Sequence, residues 1–237
     1  MGKKLGIIIG IIILGFMVGA SVLIANNSSA PSFSFQSVVN RVMAMDFDGY
    51  DKDTILPAND DSGGLSEKIA GDPDKAKVII YEYADYACSH CAEFNSIINK
   101  IVKDSDGKVA VVFRNYLINY FKNNVIAASA ATAADIQGYW AEYKDLLFEK
   151  QEAWYNLTGS ELRNYLIELF NEASDGQGDT EKFDKDLNSE SVARRVAFEF
   201  GIGAHIDELT GTPYFRINGE AVAASDLRAM VEALLAK

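Results

Sequence analysis

The sequence predicts an α/β domain made of a βαβ unit and a ββα unit, with a helical domain inserted between them and a transmembrane helix in front. Three observations carry this prediction. Val78-Ile79-Ile80-Tyr81-Glu82-Tyr83-Ala84 is an apolar and aromatic run broken by one acid, the pattern of a strand buried on both faces of a largely parallel sheet. A long stretch of helical periodicity then leads to Tyr214-Phe215-Arg216-Ile217, Asn218-Gly219 and Glu220-Ala221-Val222-Ala223, a strong short-range hairpin signal. Finally, Leu5 to Ala25 is uninterrupted by charge.

At about 1.5 Å rise per residue, a helix from Leu5 to Ala25 spans the roughly 30 Å hydrocarbon core of a bilayer. Lys3 and Lys4 precede it, so the positive-inside rule keeps the N-terminus in the cytoplasm and exports the rest. A cleaved signal peptide is the competing reading, but its apolar core is usually about 7–15 residues long, and no A-x-A site follows Ala25. Residues 1–26 are therefore read as an uncleaved anchor, 27–65 as an extracytoplasmic linker and 66–237 as the folded domain. Within the linker, Phe33 to Met45 has the apolar content for one helix or strand, and Pro57 to Gly64 is rich in turn residues.

After the first strand, Phe94, Ile97, Ile98 and Ile101 fall on one helical face, and Asp104-Ser105-Asp106-Gly107 stops the helix before the run Val109 to Phe113. Strand, helix and strand at this spacing form a βαβ unit. The insertion, at about 123–209, holds an Ala-rich helix from Val125 to Ala134 and a second from Tyr139 to Glu152. A third opens on a Thr158/Glu161 capping box, and a fourth runs through Val192, Val196 and Phe200 to stop at Gly201. Past the hairpin, Ser225 caps a last helix that faces Leu227, Met230, Val231, Leu234 and Leu235 inward.

With 22 Lys+Arg against 34 Asp+Glu, the net charge is −12, which excludes nucleic acid as a partner on electrostatic grounds. The two cysteines, in Cys88-Ser89-His90-Cys91, sit in a compartment where disulfides persist. They lie between a buried strand and the following helix, where unpaired N–H groups and the macrodipole favour a thiolate at Cys88. A protonated His90 would add a second stabilising charge, and Cys91, one turn on, is within reach as the resolving thiol. A structural disulfide closing so small a loop constrains the unfolded chain little. A closed zinc site needs about four ligands, and beyond this motif only His205 is available among Cys and His. A tethered module for a soft metal such as Cu(I) stays open as the alternative of a different class. Pro213, just ahead of a strand, is read as cis. Glu82, if buried, has a raised pKa and can relay a proton to or from Cys91; Asp85 is read as a loop acid.

Over about residues 66–237, these stretches resemble the DsbA-like branch of the thioredoxin superfamily. The resemblance rests on Tyr81-Glu82-Tyr83-Ala84-Asp85-Tyr86-Ala87-Cys88-Ser89-His90-Cys91, on Phe113-Arg114-Asn115-Tyr116, on Gly138-Tyr139-Trp140 with Leu146-Leu147-Phe148, and on Gly211-Thr212-Pro213-Tyr214-Phe215 leading to Ile217-Asn218-Gly219. It implies a thioredoxin-like fold with an inserted helical domain, Cys88 as nucleophile, Cys91 as resolving thiol, His90 as stabiliser of the thiolate, Glu82 as the acid, and Thr212 and Pro213 in contact with substrate. Ser89, standing where the family commonly has proline, joins them on the substrate side with a hydroxyl near the thiolate. The implied activity is an extracytoplasmic thiol-disulfide oxidoreductase that donates its disulfide to cysteines of exported proteins, without an organic cofactor, and is reoxidised by a separate membrane protein. A reductase of the same fold is the alternative. Gly203 to Leu209 reads as extra sequence that brings His205, Asp207 and Glu208 towards the rim of the site.

Overall fold

A mixed five-stranded sheet forms where the apolar runs fall. The computed structural model describes residues 33–206 and 209–237; the anchor read at 1–26 lies outside them, as do Asp207 and Glu208. Among the described residues no helix is long and apolar enough to cross a membrane.

The chain order is α1 (Phe35–Val42), β1 (Lys68–Ala70), β2 (Val78–Ala84), α2 (Ser89–Asp104), β3 (Val109–Asn115), then α3 (Asn124–Asp135), α4 (Trp140–Glu149), α5 (Gln151–Trp154), α6 (Gly159–Ala173), α7 (Thr180–Leu187) and α8 (Glu190–Ala204). β4 (Tyr214–Ile217), β5 (Glu220–Val222), a 3-10 turn (Ala224–Asp226) and α9 (Leu227–Leu235) complete it. Across the sheet the strands run β1-β3-β2-β4-β5. β2 and β3 are parallel, with Glu82 beside Phe113, and the other pairings are antiparallel. The central β2 is buried along nearly its whole length, as its unbroken apolar character requires. The hairpin turns on Asn218 and Gly219, at φ 53° and 84°, the positive values that a two-residue turn of this hand demands.

The thioredoxin-like core and the helical insertion fall where the sequence places them; several boundaries do not. The linker is no free tether from Phe33 onward. α1 buries Val38, Val39 and Val42, and Arg41 reaches Glu190 at 2.7 Å. Further along, Asp53 forks onto Arg216 at 2.7 and 2.9 Å. Gly201 does not end a helix: it lies inside α8, where a Cβ would stand 2.1 Å from the Phe47 ring, so its signal is close approach rather than termination. The Thr158 side chain makes no capping bond, and Ser225 lies in a 3-10 turn ahead of α9, whose N-cap position falls on Asp226, again without a side-chain capping bond. β1 and α7 carry too little periodicity to be read. α7 announces itself only through the Asp179 cap and through Phe183, which stacks on Phe170 at 4.3 Å.

Candidate active site

Strand β2 ends at Ala84, and the chain turns through Asp85-Tyr86-Ala87 to reach Cys88, the N-cap of α2. The turn is buried throughout: Asp85 and Tyr86 are 0 % exposed and Cys88 4 %. Its geometry is set by hydrogen bonds. The Cys88 N–H donates to the Asp85 carbonyl at 3.0 Å, the Trp140 indole donates to the Tyr86 hydroxyl at 3.0 Å, and Gln151 donates to the Tyr86 carbonyl at 2.6 Å. Helices α4 and α5 of the insertion thus brace the turn that presents the first cysteine.

Both cysteines are free thiols, and their environments push them apart. Cys88 is lowered to about 5, chiefly by the Cys91 thiol, then by Thr212 and by the backbone of Cys91 and His90 at the helix start, against the opposing effect of burial. Cys91, fully buried one turn on, is pushed well above its usual value, first by desolvation and then by its bond and proximity to Cys88. Thr212-Pro213 is a cis peptide, and the Cys88 thiol donates to the Thr212 carbonyl at 3.4 Å. The half-buried Thr212 and Pro213 therefore face the dithiol, while Ser89 is exposed beside it.

Glu82 is 3 % exposed, and burial raises it to about 7, with attraction from Lys144 pulling the other way. Lys144, itself buried, is held on the cysteine-bearing helix by Asn95 and Asn99. The sequence identifies Glu82 but not this cation from the insertion.

His90 departs from expectation. Its ring is 72 % exposed and turns to Glu93 at 3.3 Å, while Cys91 in the same turn of α2 points into the interior; what residue 90 contributes to the low Cys88 pKa is its backbone. The ring is accordingly not gathered with the two sulfurs as a metal ligand, and among the described residues no group of three or more His, Cys, Asp or Glu side chains is placed to hold a metal ion. His205 is engaged elsewhere, at 4.7 Å from the Phe47 ring and 2.6 Å from the Gly201 carbonyl. Asp85, read as an ordinary loop acid, is instead a buried member of the site.

A dithiol at the start of the helix that follows the central strand, facing a cis-proline turn, is the arrangement of a thioredoxin-family protein. The thioredoxin family model matches residues 66–236, and the chain belongs to that family.

Among solved structures, it is similar to BdbD from Bacillus subtilis in its oxidised form, with a TM-score of 0.62 at 23% identity, covering 78% of this chain and 100% of that one. It is also similar to the MdbA protein of Corynebacterium diphtheriae, a thiol-disulfide oxidoreductase, with a TM-score of 0.58 at 20% identity over 79% of this chain and 96% of that one. Among curated proteins, it is 28% identical over 193 residues to the Na(+)/H(+) antiporter NhaA 3 of Salinispora tropica, covering 77% of this chain and 27% of that protein. A putative protein-disulfide oxidoreductase of Rickettsia bellii is 24% identical over 159 residues, which is 65% of this chain and 58% of that protein. The chain thus spans only about a quarter to somewhat over half of the length of these curated relatives.

Proposed function

We propose that this chain is a disulfide donor: the Cys88–Cys91 disulfide is passed to cysteines of exported proteins, from a domain held outside the cytoplasm by an anchor at residues 1–26. The observation that carries the reading is the placement of Cys88 at the N-cap of α2, facing the cis Thr212-Pro213 turn, where the Cys91 thiol, Thr212 and the first-turn backbone hold its pKa at about 5 against burial. A site built to hold a thiolate stabilises the reduced form and so makes the disulfide the more oxidising partner.

In the forward reaction a substrate thiolate attacks Sγ of Cys88. The Cys88–Cys91 bond breaks, its electron pair leaves on Cys91, and a mixed disulfide forms between Cys88 and the substrate. Cys91, whose thiol is favoured by burial, takes up a proton, and Glu82 is the buried group poised near neutrality to relay it. A second substrate thiolate then attacks the substrate sulfur of the mixed disulfide. That step expels the Cys88 thiolate, a good leaving group because its pKa is low, and leaves the substrate oxidised by two electrons. Thr212 and Pro213 present backbone to an extended substrate, and Ser89 lines the same side. The dithiol returns to the disulfide by passing two electrons to a membrane redox partner.

Equilibration of the Cys88–Cys91 couple with glutathione buffers tests the direction. A potential above the glutathione poise is expected. A potential near the thioredoxin value of roughly −270 mV would assign the chain to reduction instead.

A further inference from the structure

The turn between β2 and α2 carries a buried acid to which the exchange chemistry gives no role. Asp85 is 0 % exposed, and its carboxylate is fully engaged. Oδ1 accepts from the Ala87 N–H at 2.9 Å, and Oδ2 accepts from the Ile118 N–H at 2.8 Å and from Asn124 Nδ2 at 2.9 Å. Asn124, 4 % exposed, uses the same amide to donate to the Ile118 carbonyl at 2.9 Å. One carboxylate therefore joins three stretches of chain: the cysteine turn, the segment after β3, and the first residue of the inserted helices.

A structural tie at this place has no need of a charge, since a neutral carbonyl accepts N–H bonds as well, and an anion out of water is costly. All three groups that donate to Asp85 are neutral, and the charge nearest to it in the site is of its own sign. Its backbone carbonyl receives the Cys88 N–H, so the carboxylate lies within one turn of a sulfur that is itself an anion when reduced. The titratable groups that face it are Cys88 and, one turn on, Cys91.

We propose that Asp85 is a positioning residue of the dithiol, locking the turn that carries Cys88 to the head of the inserted helices and setting a negative charge against the Cys88 thiolate. The inference rests on the reading of Cys88 as the exchanging sulfur. Asp85 opposes the N–H groups and the Cys91 thiol, which favour the thiolate, and moderates how oxidising the disulfide is. The two charges act on each other equally, so Asp85 holds its proton more tightly in the reduced protein than in the disulfide form, where neither sulfur is charged. Burial already lifts its carboxyl to about 6, and Cys88 adds to that lift.

The test uses the unaltered full chain first. The Asp85 carboxyl is followed by carbon NMR against pH in the reduced and the disulfide forms, with its resonance assigned by Asp85→Asn. A midpoint higher in the reduced form by about half a unit, a threefold change in protonation at a given pH, is expected; equal midpoints overturn the proposal. Thiolate absorbance against pH gives the second readout. In folded Asp85→Asn the Cys88 midpoint falls by a similar amount, and the Cys88–Cys91 potential rises. An unchanged or raised midpoint is the result of a merely structural tie, as is lower thermal stability alone, and either overturns the proposal. Asn124→Ala keeps the charge and removes one donor, so the Asp85 midpoint rises further; if it stays put, the link to the insertion is wrong. A reversible couple in the unaltered protein is established by the glutathione equilibrium independently of Asp85, so failure of the oxidoreductase reading is distinct from failure of this one.

Discussion

Two regions of the interior hold buried carboxylates, and Glu199 in one behaves oppositely to Glu82 and Asp85 in the other. At the seam of β1, β3 and α8, Glu199 is 1 % exposed and yet ionises more readily than a free glutamate. Burial disfavours its charge, but Lys68 and Arg195 and a backbone N–H outweigh that. Lys68 pairs with it directly, Arg195 donates at 2.8 Å, and the Asn115 N–H donates at 3.0 Å. Glu67, also buried, accepts from Arg114 at 2.6 Å. On the dithiol side, Glu82 is equally buried and is lifted to about 7, with Lys144 only partly opposing its desolvation, and Asp85 to about 6 with neutral donors alone. The comparison teaches that depth does not decide the charge of an interior acid; the number and sign of its partners do. Where the fold needs a permanent ion it surrounds the acid with cations, and along β2 and the turn to Cys88 it leaves the acids close to titration.

The largest effect expected is at Cys88. Cys88→Ser removes all exchange with a dithiol substrate. In the unaltered reduced protein, alkylation by iodoacetamide holds near its plateau down to about pH 5 and falls below it. A thiol whose folded pKa is depressed contributes stability that is fully present above its unfolded value and is lost as pH falls through the folded one. Urea denaturation of the reduced protein is therefore expected to show rising stability from about pH 5 towards pH 9, and Cys88→Ser to lack that slope. Alkylation that declines steadily from pH 8 would contradict the site geometry.

On the paired side, Glu199→Gln leaves Lys68 and Arg195 buried with half their counter-charge. The expected cost is about 3–5 kcal/mol in urea denaturation, the usual result of removing one member of a buried ion set. On the dithiol side, the sign reverses. A carboxyl raised from 4.5 to about 7 stabilises the fold below its unfolded value and loses that contribution as pH rises through about 7. Glu82→Gln is thus expected to be the more stable protein at pH 8, by up to roughly 3 kcal/mol, while its exchange slows by about tenfold and loses the inflection near neutrality. Equal destabilisation by both substitutions would erase the distinction between the two sets.

Much of the sheet was legible in the sequence because its signals are local. An unbroken apolar run, a helix of period 3.6 and an Asn-Gly turn are each decided within ten residues or so. The dithiol and its cis-proline were legible for the same reason. What escaped depends on contacts between distant segments. Lys68 makes β1 look like loop until Glu199, far along the chain, is known to neutralise it. Gly201 imitates a helix stop because nothing local reveals that Phe47 packs there. The tether reading failed in the same way from Phe33 onward, since Arg41 and Asp53 find their partners, Glu190 and Arg216, near the other end of the sequence. Asp85 is the sharpest instance: its identity suits any surface turn, and only Ile118 and Asn124 make it a buried anion.

The smallest effect is expected where the motif itself suggests a large one. His90 stands between the two cysteines, and a charged imidazole there would lower the Cys88 pKa by direct attraction. The ring is instead 72 % exposed and partnered by Glu93, itself 69 % exposed, at 3.3 Å. A charge so placed acts through water and is countered by the carboxylate beside it. The backbone contribution of residue 90, which lowers the Cys88 thiol, survives any substitution but proline. His90→Ala is accordingly expected to raise the Cys88 midpoint by less than about 0.3 unit in thiolate absorbance, below the spread usual for one environment, with a salt dependence too weak to measure. His90→Pro removes the donor along with the ring and is expected to move the midpoint further than His90→Ala does. If alanine alone raised it by a full unit, the imidazole would have to lie over the sulfur in solution, and the division between backbone and side-chain stabilisation of the thiolate would fall.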